Sequence, residues 1–259
     1  MVDKVKTTKL FLELIDIVEK LRSPDGCPWD KEQTHGSLLP YFLEETYEVI
    51  ESVELGDWVT LKEELGDVLL HIFLQAQIAR ESNKFDIQDT LNGINEKLIR
   101  RHPHVFGNKE KGGAYQSKKD WERQKHVEKK RKSRLDGVPK KLPALIRAQR
   151  LQEKASYAGF DLVKIEDVWE KLFEELNELK FAQEKGDMEN VKEEIGDVFF
   201  SVVNLSRFLG FSAEDMLRET NRKFIYRFKK IEQELKENGK QLEDCNIEEM
   251  EKIWEKSKD

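Results

Sequence analysis

The sequence predicts an all-α protein of two tandem helical-bundle domains that arose by internal duplication. Three observations carry this. Charged residues fill 37% of the 259 positions, 45 Lys/Arg and 52 Asp/Glu, against about a quarter in an average globular protein. Helix breakers are scarce, with 14 Gly and 6 Pro, so long amphipathic helices can run between them. The chain also repeats itself: residues 43–67, LEETYEVIESVELGDWVTLKEELGD, align without a gap on residues 173–197, FEELNELKFAQEKGDMENVKEEIGD, with eleven identities.

An acidic chain matches some Glu by chance, but not two Gly-Asp pairs in register: Gly56-Asp57 with Gly186-Asp187, and Gly66-Asp67 with Gly196-Asp197. After a shift of four residues Asn95, Lys97 and Arg101 match Asn221, Lys223 and Arg227. Further on, Trp121-Glu122-x-x-Lys125 matches Trp254-Glu255-x-x-Lys258. So long a period marks duplicated domains rather than a solenoid. The expected organisation is a first domain over 1–125, a basic linker over 126–149 and a second domain over 150–259.

Composition excludes collagen, low-complexity disorder and most all-β folds. No run of 18 apolar residues is present, so no transmembrane helix and no membrane partner are expected. Met1 to Leu10 carries lysines without an apolar stretch, so no secretory signal is expected. Two cysteines, Cys27 and Cys245, make no disulfide framework and suit a reducing, cytoplasmic setting. A net charge of −7 argues against a general nucleic-acid binder. Residues 123–150 nevertheless hold eleven Lys/Arg against Glu128 and Asp136. This segment is either a solvated helix end with a linker or a patch that attracts polyanions, and without interleaved aromatics it suits charge attraction better than base reading. A non-catalytic nucleotide sensor, or a partner- or nucleic-acid-binding protein acting through 123–150, is the alternative function.

Leu38 to Leu55 reads as a helix with Leu39, Phe42, Leu43, Thr46, Val49, Ile50 and Val53 in one apolar stripe. Glu45 and Glu48 are neighbours on its flank, being three apart. Gly56 suits the helix end and Asp57 the next N-cap. Leu61 to about Arg80 reads as a second helix, apolar nearly all round, which predicts burial. Yet Glu64, Asp67, His71 and Gln75 form a polar stripe along it. The second copy repeats the design, with Glu175 and Glu178 on one helix and Glu194, Asp197, Ser201 and Asn204 on the next.

Each copy therefore gathers four carboxylates: Glu45, Glu48, Glu64 and Asp67, then Glu175, Glu178, Glu194 and Asp197. Bare carboxylates repel at close range unless protons or cations compensate. An all-oxygen donor set selects a hard cation, Mg²⁺ with Mn²⁺ as the alternative. Salt bridges to Lys62, Lys192 and similar partners are the bland reading. A di-iron bundle wants Glu-x-x-His pairs, whereas His71 follows Asp67 by four and its counterpart is Ser201. Lys97 with Arg101, and Lys223 with Arg227, are four apart and read as phosphate clamps or as ordinary surface charge. Trp121 and Trp254 either pack inward or stack on a base. No Walker-type phosphate loop occurs.

Glu-Glu-x-x-Glu followed by Glu-x-x-Asp resembles the MazG family of all-α nucleoside triphosphate pyrophosphohydrolases. Gly26-Cys27-Pro28-Trp29-Asp30-x-x-Gln33-Thr34-His35-x-Ser37-Leu38, Arg101-His102-Pro103-His104-Val105-Phe106 and Ala158-Gly159-Phe160-Asp161 resemble the family's lead-in and closing segments. The resemblance covers nearly the whole chain. It implies Mg²⁺-dependent hydrolysis of nucleoside triphosphates to monophosphate and pyrophosphate, and bundles completed by pairing in a homodimer. By motif position Glu175, Glu178, Glu194 and Asp197 would hold metal, as would Glu45, Glu48, Glu64 and Asp67. Lys171, Lys223 and Arg227 would grip phosphate, and Trp254 would border the nucleotide; Lys97, Arg101 and Trp121 are the matching positions of the first copy. Glu174 and Glu193, next in sequence to Glu175 and Glu194, would either activate water or support the ligands from the outer shell, and Glu175 is counted with them as catalytic. Lys171 lies one turn before Glu175 where the first copy has Tyr41, so the second copy, with the fuller basic set, is favoured as the principal active site.

Overall fold

The computed structural model describes residues 2–107, 113–129 and 131–258, and among them it contains helices and no β-strand. The chain divides into two compact units, Met1–Lys111 and Gly112–Asp259.

The first unit runs from α1 (Lys4–Arg22) through the short α2 (Pro28–Glu32) to α3 (Leu39–Leu55), α4 (Trp58–Glu81), α5 (Ile87–Arg101) and the one-turn α6 (Pro103–Phe106). Asp3 caps α1 by accepting from the Val5 and Lys6 amides. The apolar face of α1 packs on the C-terminal half of α4 around Val18, Leu38, Phe73, Leu74 and Ile78. Phe11 meets Phe73 edge to face with ring centroids 4.9 Å apart. Arg22 closes this core with a two-pronged bond to Glu81, Nε to Oε1 at 2.9 Å and Nη2 to Oε2 at 2.7 Å.

The second unit contains α7 (Ala114–Glu128), α8 (Ala144–Tyr157), α9 (Ile165–Lys185), α10 (Met188–Phe208), α11 (Ala213–Glu237), a 3₁₀ turn (Leu242–Asp244) and α12 (Ile247–Lys256). Gln152 ties α8 to α10, its Nε2 donating to the Phe200 carbonyl at 2.8 Å. Gln149 ties α8 to the start of α11, its Oε1 accepting from the Ala213 amide at 3.1 Å. Ile231, Leu235 and Ile253 form a small core between α11 and α12.

The repeated Gly-Asp pair makes the same corner in both units. Gly56 and Gly186 end α3 and α9 in the left-handed region, at φ +68° and +71°. Asp57 then caps α4 by accepting from the Val59 and Thr60 amides, and Asp187 caps α10 by accepting from Asn190. Two helices joined by so short a turn must run back alongside each other, which is what brings the carboxylates of α3 and α4, and of α9 and α10, into register.

Two expectations differ from the structure. The repeat places Trp121 and its helix in the first copy, with a boundary at 125, but α7 packs on α8 within the second unit. The physical reason is a buried carboxylate: Glu122 accepts from Lys154 Nζ of α8 at 2.8 Å, and Arg150 lies 3.3 Å away. The segment 126–149 is also not wholly linker, because α8 starts at Ala144. The second difference is burial. α4 is enclosed only between His71 and Ala79, while Leu65 and Leu69 remain exposed. The stripe of α3 likewise leaves Leu39, Leu43 and Val53 in the open.

Candidate active site

In the first unit, carboxylate oxygens of Glu45, Glu64 and Asp67 lie within 4.8 Å of one another. Glu48, one turn along α3 from Glu45, joins them by a hydrogen bond to Glu45. Burial first, then that hydrogen bond and the charges of Asp67, Glu48 and Glu64, push the Glu45 carboxyl up from 4.5 to about 7. Glu64 is also raised, by burial and then by Glu48, Asp67 and Glu63.

The second unit repeats the cluster with oxygens of Glu175, Glu194 and Asp197 within 4.8 Å. Burial raises Glu194, and the charges of Glu178, Glu175, Asp197 and Glu193 add to it. One feature differs. Lys171 Nζ lies 2.7 Å from Glu175 Oε1 and 3.2 Å from Glu174 Oε1. Glu175 is only 6% exposed, and its hydrogen bond is the main cause that raises the Lys171 ammonium above its ordinary value. The equivalent of Lys171 is Tyr41, which packs edge to face on Trp29 at 5.9 Å. The second cluster thus has a built-in counter-charge where the first has an aromatic ring. Lys192, a neutralising partner suggested by sequence, pairs instead with Glu189 at 2.7 Å.

Among the described residues these two are the groups of three or more side chains able to converge on a metal ion. His71 belongs to neither. It is buried beside Phe42, ring centroids 5.7 Å apart, with Nδ1 unpartnered among the described residues and its pKa lowered by burial.

The basic and aromatic candidates form separate groups. Lys223 pairs with Glu219 at 2.7 Å on α11. Arg227, one turn on, lies over the Trp254 ring at 5.4 Å, and Phe224 meets the same ring at 5.3 Å. Trp254 therefore packs between α11 and α12, on the edge of their small core. Among the described residues no ion pair or hydrogen bond joins Lys223, Arg227 or Trp254 to the carboxylates. Lys97 is half-buried and Arg101 buried on α5, in the first unit, whereas Trp121 is on α7, in the second. Glu174 and Glu193 are exposed beside their cluster, the first held by Lys171 and the second pressing on Glu194.

The MazG nucleotide pyrophosphohydrolase domain matches this chain twice, over residues 33–106 and 164–232. The chain belongs to the MazG family. It is 51% identical over 251 residues to the nucleoside triphosphate pyrophosphohydrolase/pyrophosphatase MazG of Thermotoga maritima, covering 96% of each chain. It is 39% identical over 251 residues to the nucleoside triphosphate pyrophosphohydrolase of Escherichia coli K12, covering 95% of each. The uncharacterized protein YabN of Bacillus subtilis is 43% identical over 252 residues, which are 96% of this chain and 52% of that one. Both carboxylate clusters lie inside the MazG matches, as do Lys97, Arg101, Lys171, Lys223 and Arg227; Trp121 and Trp254 lie outside them.

Sequence reasoning did not find the buried ion cluster of α7 and α8. Glu122 is buried against Lys154, Arg150 and Lys125, with burial raising its pKa and the three cations bringing the net value below the ordinary one. The available signal was weak: Arg150 and Lys154 are four apart on a helix whose other face is apolar, which marks a paired face without naming the partner.

Proposed function

We propose that this chain is an Mg²⁺-dependent nucleoside triphosphate pyrophosphohydrolase, converting an NTP or dNTP and water to the monophosphate and pyrophosphate. The observation that carries the reading is the carboxylate constellation built twice, on matching helix pairs, in a chain of the MazG family. The T. maritima and E. coli relatives are named nucleoside triphosphate pyrophosphohydrolases.

The donor set fits a hard divalent cation. It is all oxygen, and burial together with the crowded carboxylates of the first cluster raises Glu45 to about 7. Glu175, Glu178, Glu194 and Asp197 hold Mg²⁺ in the second copy, and Glu45, Glu48, Glu64 and Asp67 in the first; Mn²⁺ has the same oxygen preference. When bound, Mg²⁺ supplies a Lewis acid for phosphate oxygens and a more acidic water. The chain's own residues do the rest. Lys171 orients Glu175 and Glu174 and can pass its charge to an arriving phosphate oxygen. Glu193, with no counter-cation like that of Glu174 among the described residues, orients or deprotonates the attacking water. Lys223 and Arg227 steady the polyphosphate, and Trp254, already a stacking platform for Arg227, borders the base. Lys97 and Arg101 hold the matching phosphate-binding roles for the first copy. The second copy is the principal active site because only it carries the Lys171 counter-charge.

The functional form is a homodimer. Phe173 and Leu176 on α9, Phe199 and Phe200 on α10, and Phe224 and Ile225 on α11 are exposed, as are Leu39, Leu43, Leu65 and Leu69 in the first unit. So much uncovered apolar surface marks an interface, and a second copy offers the matching faces. Light scattering at micromolar concentration is expected to return twice the 30.5 kDa chain mass.

The decisive test is pyrophosphate release from a panel of NTPs and dNTPs with Mg²⁺, for the wild type and for Asp67→Asn, Asp197→Asn and the double variant. Asp197→Asn is expected to lose at least about a hundredfold in kcat and the double variant all activity. Full activity in the double variant, or release of inorganic phosphate and a diphosphate, overturns the assignment.

A further inference from the structure

The basic segment that the proposed reaction leaves unused folds around a cavity of about 280 Å³ in the second unit. Lys119, Arg123, His126, Arg134, Lys154 and Glu122 line it. Glu122 is the one acid among these six, and its charge is already taken by Lys154 at 2.8 Å, Arg150 at 3.3 Å and Lys125 at 3.8 Å. Lys119, Arg123 and Arg134 have no ion pair among the described residues, although they face the same space. His126 adds a buried Nδ1 with no hydrogen-bond partner among the described residues. Burial and the charges of Lys154, Arg131 and Arg150 depress the Lys125 ammonium despite its carboxylate neighbour, so the cations here strain against one another.

We infer that this cavity is a binding site for a small polyphosphate anion, one carrying two or more negative charges, separate from the carboxylate clusters. Three uncommitted cations around one cavity supply what such an anion needs: charge, and several N–H donors converging on oxygens. Its volume is at the small end for ligand sites and takes a diphosphate group more readily than a whole nucleoside triphosphate. The cations line a concavity, not a flat stripe, and Tyr157 is the one aromatic in its wall, which favours a compact anion over a nucleic-acid strand stacked on several rings.

Isothermal titration of the 259-residue chain with sodium pyrophosphate, in EDTA to keep metal from the carboxylates, tests this directly. The wild type is expected to bind one pyrophosphate per chain with Kd below about 1 mM. The triple variant Lys119→Gln/Arg123→Gln/Arg134→Gln changes only exposed side chains and is expected to bind at least tenfold more weakly. The charge-matched control Lys4→Gln/Lys6→Gln/Lys9→Gln on α1 is expected to bind like the wild type. Inorganic phosphate and a non-hydrolysable NTP in the same titration separate the sources, a free anion or the phosphates of a nucleotide. Absence of wild-type binding overturns the site, as does equal weakening in both triple variants. A single-stranded 12-mer DNA that binds through the same three residues, with a steep salt dependence, while pyrophosphate does not compete, replaces the small anion with a nucleic acid.

Discussion

One amide substitution, made at equivalent places in the two copies, should move stability in opposite directions. Glu45 and Glu175 are the matched first carboxylates of the two clusters. Glu45 is pushed from 4.5 to about 7 by burial and by its acidic neighbours. A shift of that size corresponds to at most roughly 3 kcal/mol. Glu45 is only half-buried and shares the repulsion with Glu48 and Glu64, so about 1–2 kcal/mol is the expected net penalty at high pH. Because the folded pKa is raised, the stability tied to the proton is complete below about pH 4.5 and is lost as pH rises through about 7. Glu45→Gln removes the charge and keeps the shape, so at pH 8 in EDTA it should raise the first unit's melting temperature by about 5–10 °C. It should also flatten that unit's melting temperature between pH 5 and 8. Glu175→Gln should do the reverse, because Glu175 is buried and bonded to Lys171 at 2.7 Å. Lys171 is about half exposed and keeps Glu174, so the loss is limited to about 1 kcal/mol. Calorimetry on the two variants and the wild type reads both signs, and adding Mg²⁺ should stabilise each wild-type cluster and little of the substituted one. Destabilisation by both substitutions at pH 8, or a Glu45→Gln chain whose melting temperature still falls as the wild type's does, refutes the account of the first cluster.

Three further outcomes follow from the same contacts. Lys171→Gln leaves Glu175 buried among its acidic neighbours without its counter-charge, so pyrophosphate release should fall by about ten- to a hundredfold at pH 7; undiminished release would contradict this. Glu122→Gln strands Lys154 and Arg150 and should cost about 2–3 kcal/mol at pH 7, read by urea denaturation. Since Glu122 is lowered in the fold, its contribution is present above about pH 4.5 and disappears as pH falls, so wild type and variant should converge in acid. Trp254→Ala removes a ring that touches Phe224 and carries Arg227, and should cost about 2 kcal/mol and raise KM for the nucleotide more than it lowers kcat; an unchanged KM would leave the indole with packing alone.

What was legible in the sequence was local. Gly56-Asp57 and Gly186-Asp187 announce a left-handed helix end followed by a side-chain cap, and a turn that short leaves the flanking helices little choice but to pair. Pairing, with Glu at three-residue spacing on one helix and Glu-x-x-Asp on the next, then sets the carboxylates together without any long-range information. Contacts between distant elements were not legible in this way. Helical periodicity shows that α3 has an apolar stripe but not what covers it, and Leu39 and Leu43 remain exposed. The repeat aligns Trp121 with Trp254, yet α7 follows its buried Glu122 onto α8, because an unpaired buried carboxylate is costlier than a broken symmetry.

Lys171 shows the same division at smaller scale. Its spacing from Glu175 predicts adjacency, and the structure turns that adjacency into an ion pair with a buried carboxylate of the cluster. Tyr41 offers Glu45 no ammonium, and burial, the hydrogen bond to Glu48 and the surrounding carboxylates raise it to about 7. A cluster that holds a proton near neutral pH must release it before a cation can take its place, whereas a cluster with an internal ammonium need only move a side chain. The two copies should therefore differ in the pH at which they bind Mg²⁺. Titrating Mg²⁺ into Asp67→Asn and Asp197→Asn chains at pH 6 and pH 8 isolates each site: affinity should rise with pH more steeply where only the first cluster is intact, and equal slopes would remove Lys171 as the source of the asymmetry.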